Sequence, residues 1–288
     1  QKGEIMKINL FVAAAGLALA FSATGPTFAG LPETLRIATD AESPPYSTAK
    51  PDGSVEGYEI DIAKVWCEKI GIKCTVEVAD FGGMIPALTA GKFDVIMASM
   101  SITAKRMEVI NFSLPYGGTG NTMAAMKGSA LEALPAMDGK LSLEGPDAAA
   151  VLGKMAEMLK GKVIGVEAGS VSADFAKEKF GSVAEVREYK KSEEINLDLK
   201  AGRIDAELNG RSFIANSIKQ PENEGMMMVG PVFDEGIFGL GVGLGLRKDD
   251  AELKEKLDAA IRETAKDGTM KALSIKWFGF DTTPSSLR

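Results

Sequence analysis

Leu88-Thr-Ala-Gly91-Lys-Phe-Asp94 recurs farther along the chain as Leu199-Lys-Ala-Gly202-Arg-Ile-Asp205. Each copy reads as the end of a helix, with glycine just past the last turn where a left-handed backbone costs little, followed at once by an apolar strand. Two such copies, far apart, point to one structural unit used in two lobes; chance reuse of a common helix–glycine–strand junction is the competing explanation. Outward from the first copy, Leu35-Arg-Ile-Ala-Thr39 reads as a strand, and Pro44, Pro45, Pro51, Asp52 and Gly53 mark a turn. Residues 60–70 carry Ile60, Ala63, Cys67 and Ile70 at helical spacing. A strand over 74–78, a helix over 84–90 and a strand over 93–98 complete an alternation that predicts an α/β fold with parallel sheets and right-handed crossovers.

Around the second copy, strands are expected over 122–126, 163–166, 186–189, 204–208 and 226–229. Met226-Met-Met228 needs no role beyond that of a hydrophobic strand. Gly117-Gly-Thr-Gly120, just after Pro115, reads as a first crossing between lobes, and Phe238-Gly-Leu-Gly-Val-Gly243 as the return. Residues 30–120 and 239–288 then form lobe 1 and residues 121–238 lobe 2, with helices over 251–266 and 270–277 packing back on lobe 1. Two crossings favour hinge closure over independently tethered domains. Residues 127–160 hold turn-like stretches and an amphipathic helix of Val151, Leu152, Met155, Met158 and Leu159. They read as an ornament on the outer surface of lobe 2 whose helix covers the sheet; a partner-binding helix is the alternative.

The first copy runs on into Asp94-Val-Ile-Met-Ala-Ser99-Met-Ser101-Ile-Thr103-Ala-Lys-Arg106. Here an apolar strand delivers hydroxyls and one guanidinium to its C-terminal end. Arginine offers a rigid fork of donors that meets both oxygens of a carboxylate, and serine and threonine add neutral donors beside it. Ligands of open α/β sheets sit outside the carboxyl ends of the strands. The segment therefore reads as a receptor for a small carboxylate-bearing molecule. A surface salt bridge on a helix is the plainer use of Arg106.

No histidine occurs in the 288 residues, which removes Ser-His-Asp and Cys-His nucleophiles and the usual zinc sites. No metal or cofactor is implied. Net charge is −7, and removal of Lys2, Lys7 and Glu4 with a leader makes the balance one unit more negative, which argues against nucleic acid or an anionic membrane surface as partner. Met6-Lys7, the apolar run from Leu10 to Phe21 and Thr27-Phe28-Ala29 read as a secretory leader over residues 1–29, with Gln1 to Ile5 upstream of the initiator. Beyond such a leader, Cys67 and Cys74 read as a short-loop disulfide worth about 2–3 kcal/mol, with two free thiols as the alternative.

Gly57-Tyr-Glu-Ile-Asp61-Ile-Ala-Lys-Val-Trp-Cys67-Glu-Lys-Ile70 resembles the signature of the periplasmic solute-binding proteins that feed polar amino acids to ABC importers, with Trp66 where that pattern prefers a smaller aliphatic. Thr39-Asp40, Ile85-Pro86, residues 97–106, residues 201–205 and Gly245-Leu-Arg-Lys248 are similar to the lysine/arginine/ornithine- and histidine-binding members, and the stretch after Met126 to the octopine- and nopaline-binding branch. The resemblance covers about Leu35 to Phe280. It implies the type II two-lobed periplasmic binding protein fold, two doubly wound sheets joined by a two-strand hinge. It also implies a monomer in the periplasm, an amino-acid or opine ligand, and an ABC permease as partner.

By that resemblance Arg106 clamps the ligand carboxylate, Ser101 adds a hydroxyl, Ser99 a backbone contact, and Ser170 a donor at a helix N-terminus. Phe81 matches an aromatic wall, and Asp40 the acid that meets a cationic side-chain tip. The sequence also departs from the pattern. The second aromatic wall falls on Ser43, so the ligand is held on one face only unless Tyr46 swings in. The acid for an α-ammonium falls on Gly210, beside Asn209, and Glu167 stands where an apolar residue or amide is usual. These departures imply an acidic end made by Asp40 and Glu167 opposite Arg106, suited to an opine or other N-substituted amino acid and hostile to glutamate and aspartate. Each has a plainer reading: Asp40 caps a turn, Phe81 is core, Glu167 is a solvated strand end. The rival functions are a periplasmic cyclohexadienyl (prephenate/arogenate) dehydratase with Glu167 as its acid, and a sensing module that hands closure to a receptor.

Overall fold

The computed structural model describes residues 31–118, 120–135 and 140–287; the leader and its upstream residues lie outside them. Two sheets carry the architecture. The first has the strand order Lys73–Val78, Thr34–Thr39, Val95–Ile96, Gly245–Leu246, Asn111–Phe112. Its first three strands are parallel and Gly245–Leu246 runs against its neighbours. The second has the order Glu185–Tyr189, Val163–Glu167, Ala206–Gly210, Asn121–Met126, Met226–Asp234, Lys140–Ser142. There too a parallel group meets one antiparallel strand, Asn121–Met126.

The repeated heptapeptide closes the same unit in both sheets. Gly91 and Gly202 stand at φ 73 and 67, the left-handed turn that lets each helix stop and reverse. The aspartates that follow do equivalent work. Asp94 exchanges backbone and side-chain bonds with Arg36 (N to Arg36 O at 2.9 Å, Oδ2 from Arg36 N at 3.0 Å), and Asp205 does so with Val163 (2.8 and 2.9 Å). In each sheet the aspartate thereby pins its own strand to the neighbouring one.

Helix Tyr58–Ile70 buries Ile62, Ala63, Trp66 and Cys67 and packs on helices Ala251–Lys266 and Thr269–Phe278. Trp66 fits because its indole Nε1 finds Thr264 Oγ1 at 3.0 Å, satisfying the one polar atom of a large buried ring. Cys67 and Cys74 are joined as a disulfide, tying this helix to the strand beside it. The crossing segments pair with each other: Tyr116 N donates to Val242 O and Val242 N to Gly117 O, both at 2.9 Å. Gly241 is required there, since a Cβ on it would lie 2.7 Å from Gly117 O at φ 103.

Three expectations need correction. The strand over 93–98 shrinks to Val95–Ile96, because the chain leaves the ladder for a left-handed turn at Ser99. The turn after Thr39 is a small sheet of its own, Glu42–Ser43, Ser47–Ala49 and Val55–Glu56. The helix of the segment after Met126 covers the sheet as expected, but the segment is more than an outer ornament. Lys140–Ser142 adds an edge strand to the second sheet, and helix Ala148–Leu159 sinks Met155 and Leu159 fully into that core. Among the described residues no helix is long and apolar enough to cross a membrane.

Candidate functional site

The parallel strands of both sheets point their carboxyl ends at one cavity of about 840 Å³. Ser99, Ser101 and Arg106 enter its wall from the first sheet, Glu167, Ser170, Asn209 and Gly210 from the second, and Ser43, Tyr46 and Phe81 from the connections between. The two sides touch around it. Arg106 Nη2 donates to Gly169 O at 3.1 Å, Lys105 pairs with Asp174 at 2.8 Å, and Lys191 pairs with Glu42.

Arg106 stands in the short helix Ala104–Met107, whose N-cap Thr103 accepts the Arg106 amide at 3.2 Å. Its side chain is buried, yet its hydrogen bonds go to carbonyls, Ser101 O at 3.0 Å and Gly169 O at 3.1 Å. Asp174 and Glu167 act on it only through their charge. Burial lowers its pKa to about 10, which leaves it charged at neutral pH. Phe81 lies 5.5 Å from the guanidinium carbon, so this ring supports the arginine as well as the wall. Ser170 caps helix Val171–Phe180, its Oγ accepting Ala173 N at 3.1 Å, and presents that helix N-terminus to the cavity. A positively charged fork beside a helix N-terminus is suited to one carboxylate.

The acidic groups are arranged differently. Glu167, at the end of strand Val163–Glu167, is buried on the cavity wall, and its pKa is pushed up to about 8 by burial and then by the charges of Asp40, Glu42 and Glu207. Asp40 does not reach the wall. Ser43 Oγ (2.6 Å), Ser47 Oγ (3.0 Å) and Glu42 N (3.3 Å) all donate to it, so it closes the turn behind Ser43 and reaches the cavity only as a charge. Burial raises its pKa while those three bonds oppose the rise. Tyr46 occupies the wall next to Ser43, and its buried hydroxyl has no hydrogen-bond partner. Asn209 is on the wall with its amide committed: Nδ2 donates to Ser192 Oγ and Glu207 Oε1, both at 3.0 Å, and Oδ1 accepts Gly210 N at 2.8 Å.

Two buried acids behind the wall escape the sequence reading. Glu207 and Glu59 are fully buried, each with one oxygen lacking a partner, and burial pushes both up to about 8. Each left a trace in the sequence. Glu59 lies on the same helix face as Ile62, Ala63 and Trp66, and Glu207 sits inside a strand covered on both sides.

The model of the bacterial extracellular solute-binding proteins, family 3, matches residues 35–280. The chain belongs to that family. This solute-binding protein is 37% identical over 272 residues to the octopine-binding periplasmic protein of Rhizobium meliloti, covering 88% of this chain and 92% of that one. It is 35% identical over 284 residues to the lysine/arginine/ornithine-binding periplasmic protein of Escherichia coli K12, covering 98% of each. Among solved structures it resembles an ancestral arginine-binding protein bound to arginine (TM-score 0.73, 33% identity, 86% of this chain and 99% of that one). It also resembles an ancestral amino acid-binding protein described as a precursor of cyclohexadienyl dehydratase (TM-score 0.70, 28% identity, 85% and 96%).

Proposed function

We propose that this protein is the periplasmic, substrate-binding component of an ABC importer, and that it captures a cationic amino acid or an opine-like derivative between its lobes. The observation that carries the reading is Arg106: a buried, charged guanidinium on the cavity wall whose bonds go to backbone carbonyls rather than to an acid. A ligand carboxylate, placed between it and the helix beginning at Val171, supplies the missing counter-charge. The lobes are assigned as residues 30–120 with 239–288 and residues 121–238, hinged at the paired crossings. Capture on lobe 1 precedes closure of lobe 2, and ligand favours the closed form by its differential affinity for it. The protein acts as a monomer that a membrane permease recognises. Cleavage after Ala29 would release it into the periplasm, an oxidising compartment that suits the Cys67–Cys74 bridge.

Opposite the clamp, Glu167 accepts the ligand's positive end, with the charge of Asp40 behind it. Gly210 makes room rather than contact. Its φ of −54 places no demand for glycine, and a Cβ there would meet nothing within 4 Å. That space suits a substituent on the ligand nitrogen, which favours an opine over a free amino acid.

Thermal shift with octopine, nopaline, arginine, lysine, ornithine, histidine and glutamate tests this. A true ligand at a hundred times its Kd adds about 2.7 kcal/mol to stability; glutamate should add none. Stabilisation by glutamate alone would reverse the assignment of the acidic end. Incubation with prephenate or arogenate should give no aromatic product, and turnover would replace binding with catalysis.

A further inference from the structure

Ser99 stands on the cavity wall at φ 43, a left-handed backbone that a serine keeps only where its surroundings hold it. The holding group is on the neighbouring helix. Glu59 Oε1 accepts the Ser99 amide at 2.7 Å and Tyr116 Oη at 2.5 Å. Tyr116 belongs to the first crossing segment, where its N donates to Val242 O at 2.9 Å, and its carbonyl accepts Tyr58 Oη at 3.1 Å. Glu59 is itself located by its amide, which donates to Tyr46 O at 2.9 Å. One carboxyl oxygen therefore joins the cavity wall to the crossing between the two sheets.

Packing gives no reason for an acid at this position. Its neighbours on the same helix face, Ile62, Ala63 and Trp66, are buried and apolar, and its other oxygen makes no hydrogen bond. The first turn of the helix offers partial positive charge, which eases the burial without explaining it. With its pKa up to about 8, the group is mostly the neutral acid at pH 7, and Oε1 still accepts both hydrogens.

We propose that Glu59 is a positioning residue, holding Ser99 in the left-handed turn that presents it to the cavity and tying that turn to Tyr116 at the crossing. The binding consequence rests on the function proposed above; the conformational one does not. The test is amide exchange by NMR on the full chain, with Glu59→Leu and Glu59→Gln beside the unaltered protein. The Ser99 amide should exchange about a hundredfold faster in Glu59→Leu and return to the original rate in Glu59→Gln, which keeps an acceptor, while the Ile37 amide stays unchanged throughout. With octopine and L-arginine as probes, Glu59→Leu should bind about tenfold more weakly and Glu59→Gln within about twofold. Should Glu59→Leu fail to fold, Glu59→Asp, which withdraws the acid by one methylene, carries the same comparison. An unchanged Ser99 rate with the acceptor removed or withdrawn overturns the proposal. Failure of both probes to bind the unaltered protein counts against the ligand reading instead, and leaves the exchange result to decide Glu59.

Discussion

Of the two ends proposed for the cleft, one buries a guanidinium beside carbonyls and the other buries carboxyls near one another. Arg106 keeps its charge because its pKa starts so high that burial brings it down only to about 10, and the fields of Asp174 and Glu167 oppose the fall. Glu167 and Glu207 start low, and burial carries them to about 8, so near neutral pH they hold their protons. The same loss of water thus leaves a permanent cation at Arg106, the proposed permanent end, and a conditional anion at Glu167, the proposed conditional end. On the proposed reading, a ligand's carboxylate would meet a charge already present, whereas its positive end would have to displace a proton.

The largest expected effect tests the permanent end. Arg106→Ala should weaken the best ligand about a hundredfold by calorimetry, and Arg106→Lys should recover only part of that, since an ammonium lacks the planar fork. A loss of less than about threefold in the alanine variant would remove the distinction between the two ends.

The conditional end predicts a pH dependence with a definite sign. A cationic ligand prefers ionised Glu167, so binding releases a proton, and affinity rises with pH up to about 8 and then levels. Glu167→Gln should weaken a cationic ligand about tenfold at pH 8 and flatten that rise. Calorimetry in two buffers of different protonation enthalpy counts the proton directly; equal heats would mean that Glu167 does not titrate on binding.

Gly210→Asp sharpens the comparison by adding an acid beside the conditional end, where a Cβ has open space. It should shift the ratio of octopine to arginine affinity toward arginine by about fivefold, and an unchanged ratio would take Gly210 out of the specificity argument. The smallest effect on binding concerns Glu207, which does not touch the cavity wall. Its folded pKa lies above its unfolded value, so the folded form binds the extra proton between about pH 4.5 and 8, and stability falls as pH rises across that window. In Glu207→Gln the fall in Tm between pH 5 and 8 should be shallower by about 10 °C. A slope identical to that of the unaltered protein would show that Glu207 is already ionised.

The permanent end was legible in the sequence because it is local. Ser99, Ser101, Thr103 and Arg106 lie on one short run after one strand, and the cap and the Ser101 carbonyl that hold the guanidinium come from it. The repeated heptapeptide was legible for the same reason: glycine at a helix end and aspartate at a strand start act within a few residues. The acidic end was only half legible. Asp40 and Glu167 were singled out, yet Asp40 serves the turn through Ser43 and Ser47, and Glu207 and Glu59 went unread. A charged residue on an apolar stripe is a signal, but its partner is not written beside it. Ser99 and Tyr116, which meet at Glu59, are contributed by separate parts of the chain.

The sequence alone determined what depends on near neighbours: helices and strands from their periodicity, the same helix–glycine–strand junction in both sheets, a guanidinium brought to the cavity wall by one loop, and the exclusion of histidine chemistry from composition. The tertiary structure decided what depends on removal of water and on convergence from afar. It placed Asp40 behind the wall, joined Gly169 to Arg106, committed the amide of Asn209, and made acids of Glu59, Glu167 and Glu207 by burying them without a paired cation. Periodicity is a property of the backbone and can be counted along the chain. A shifted pKa is a property of the surroundings, and those exist only once both sheets have closed on one cavity.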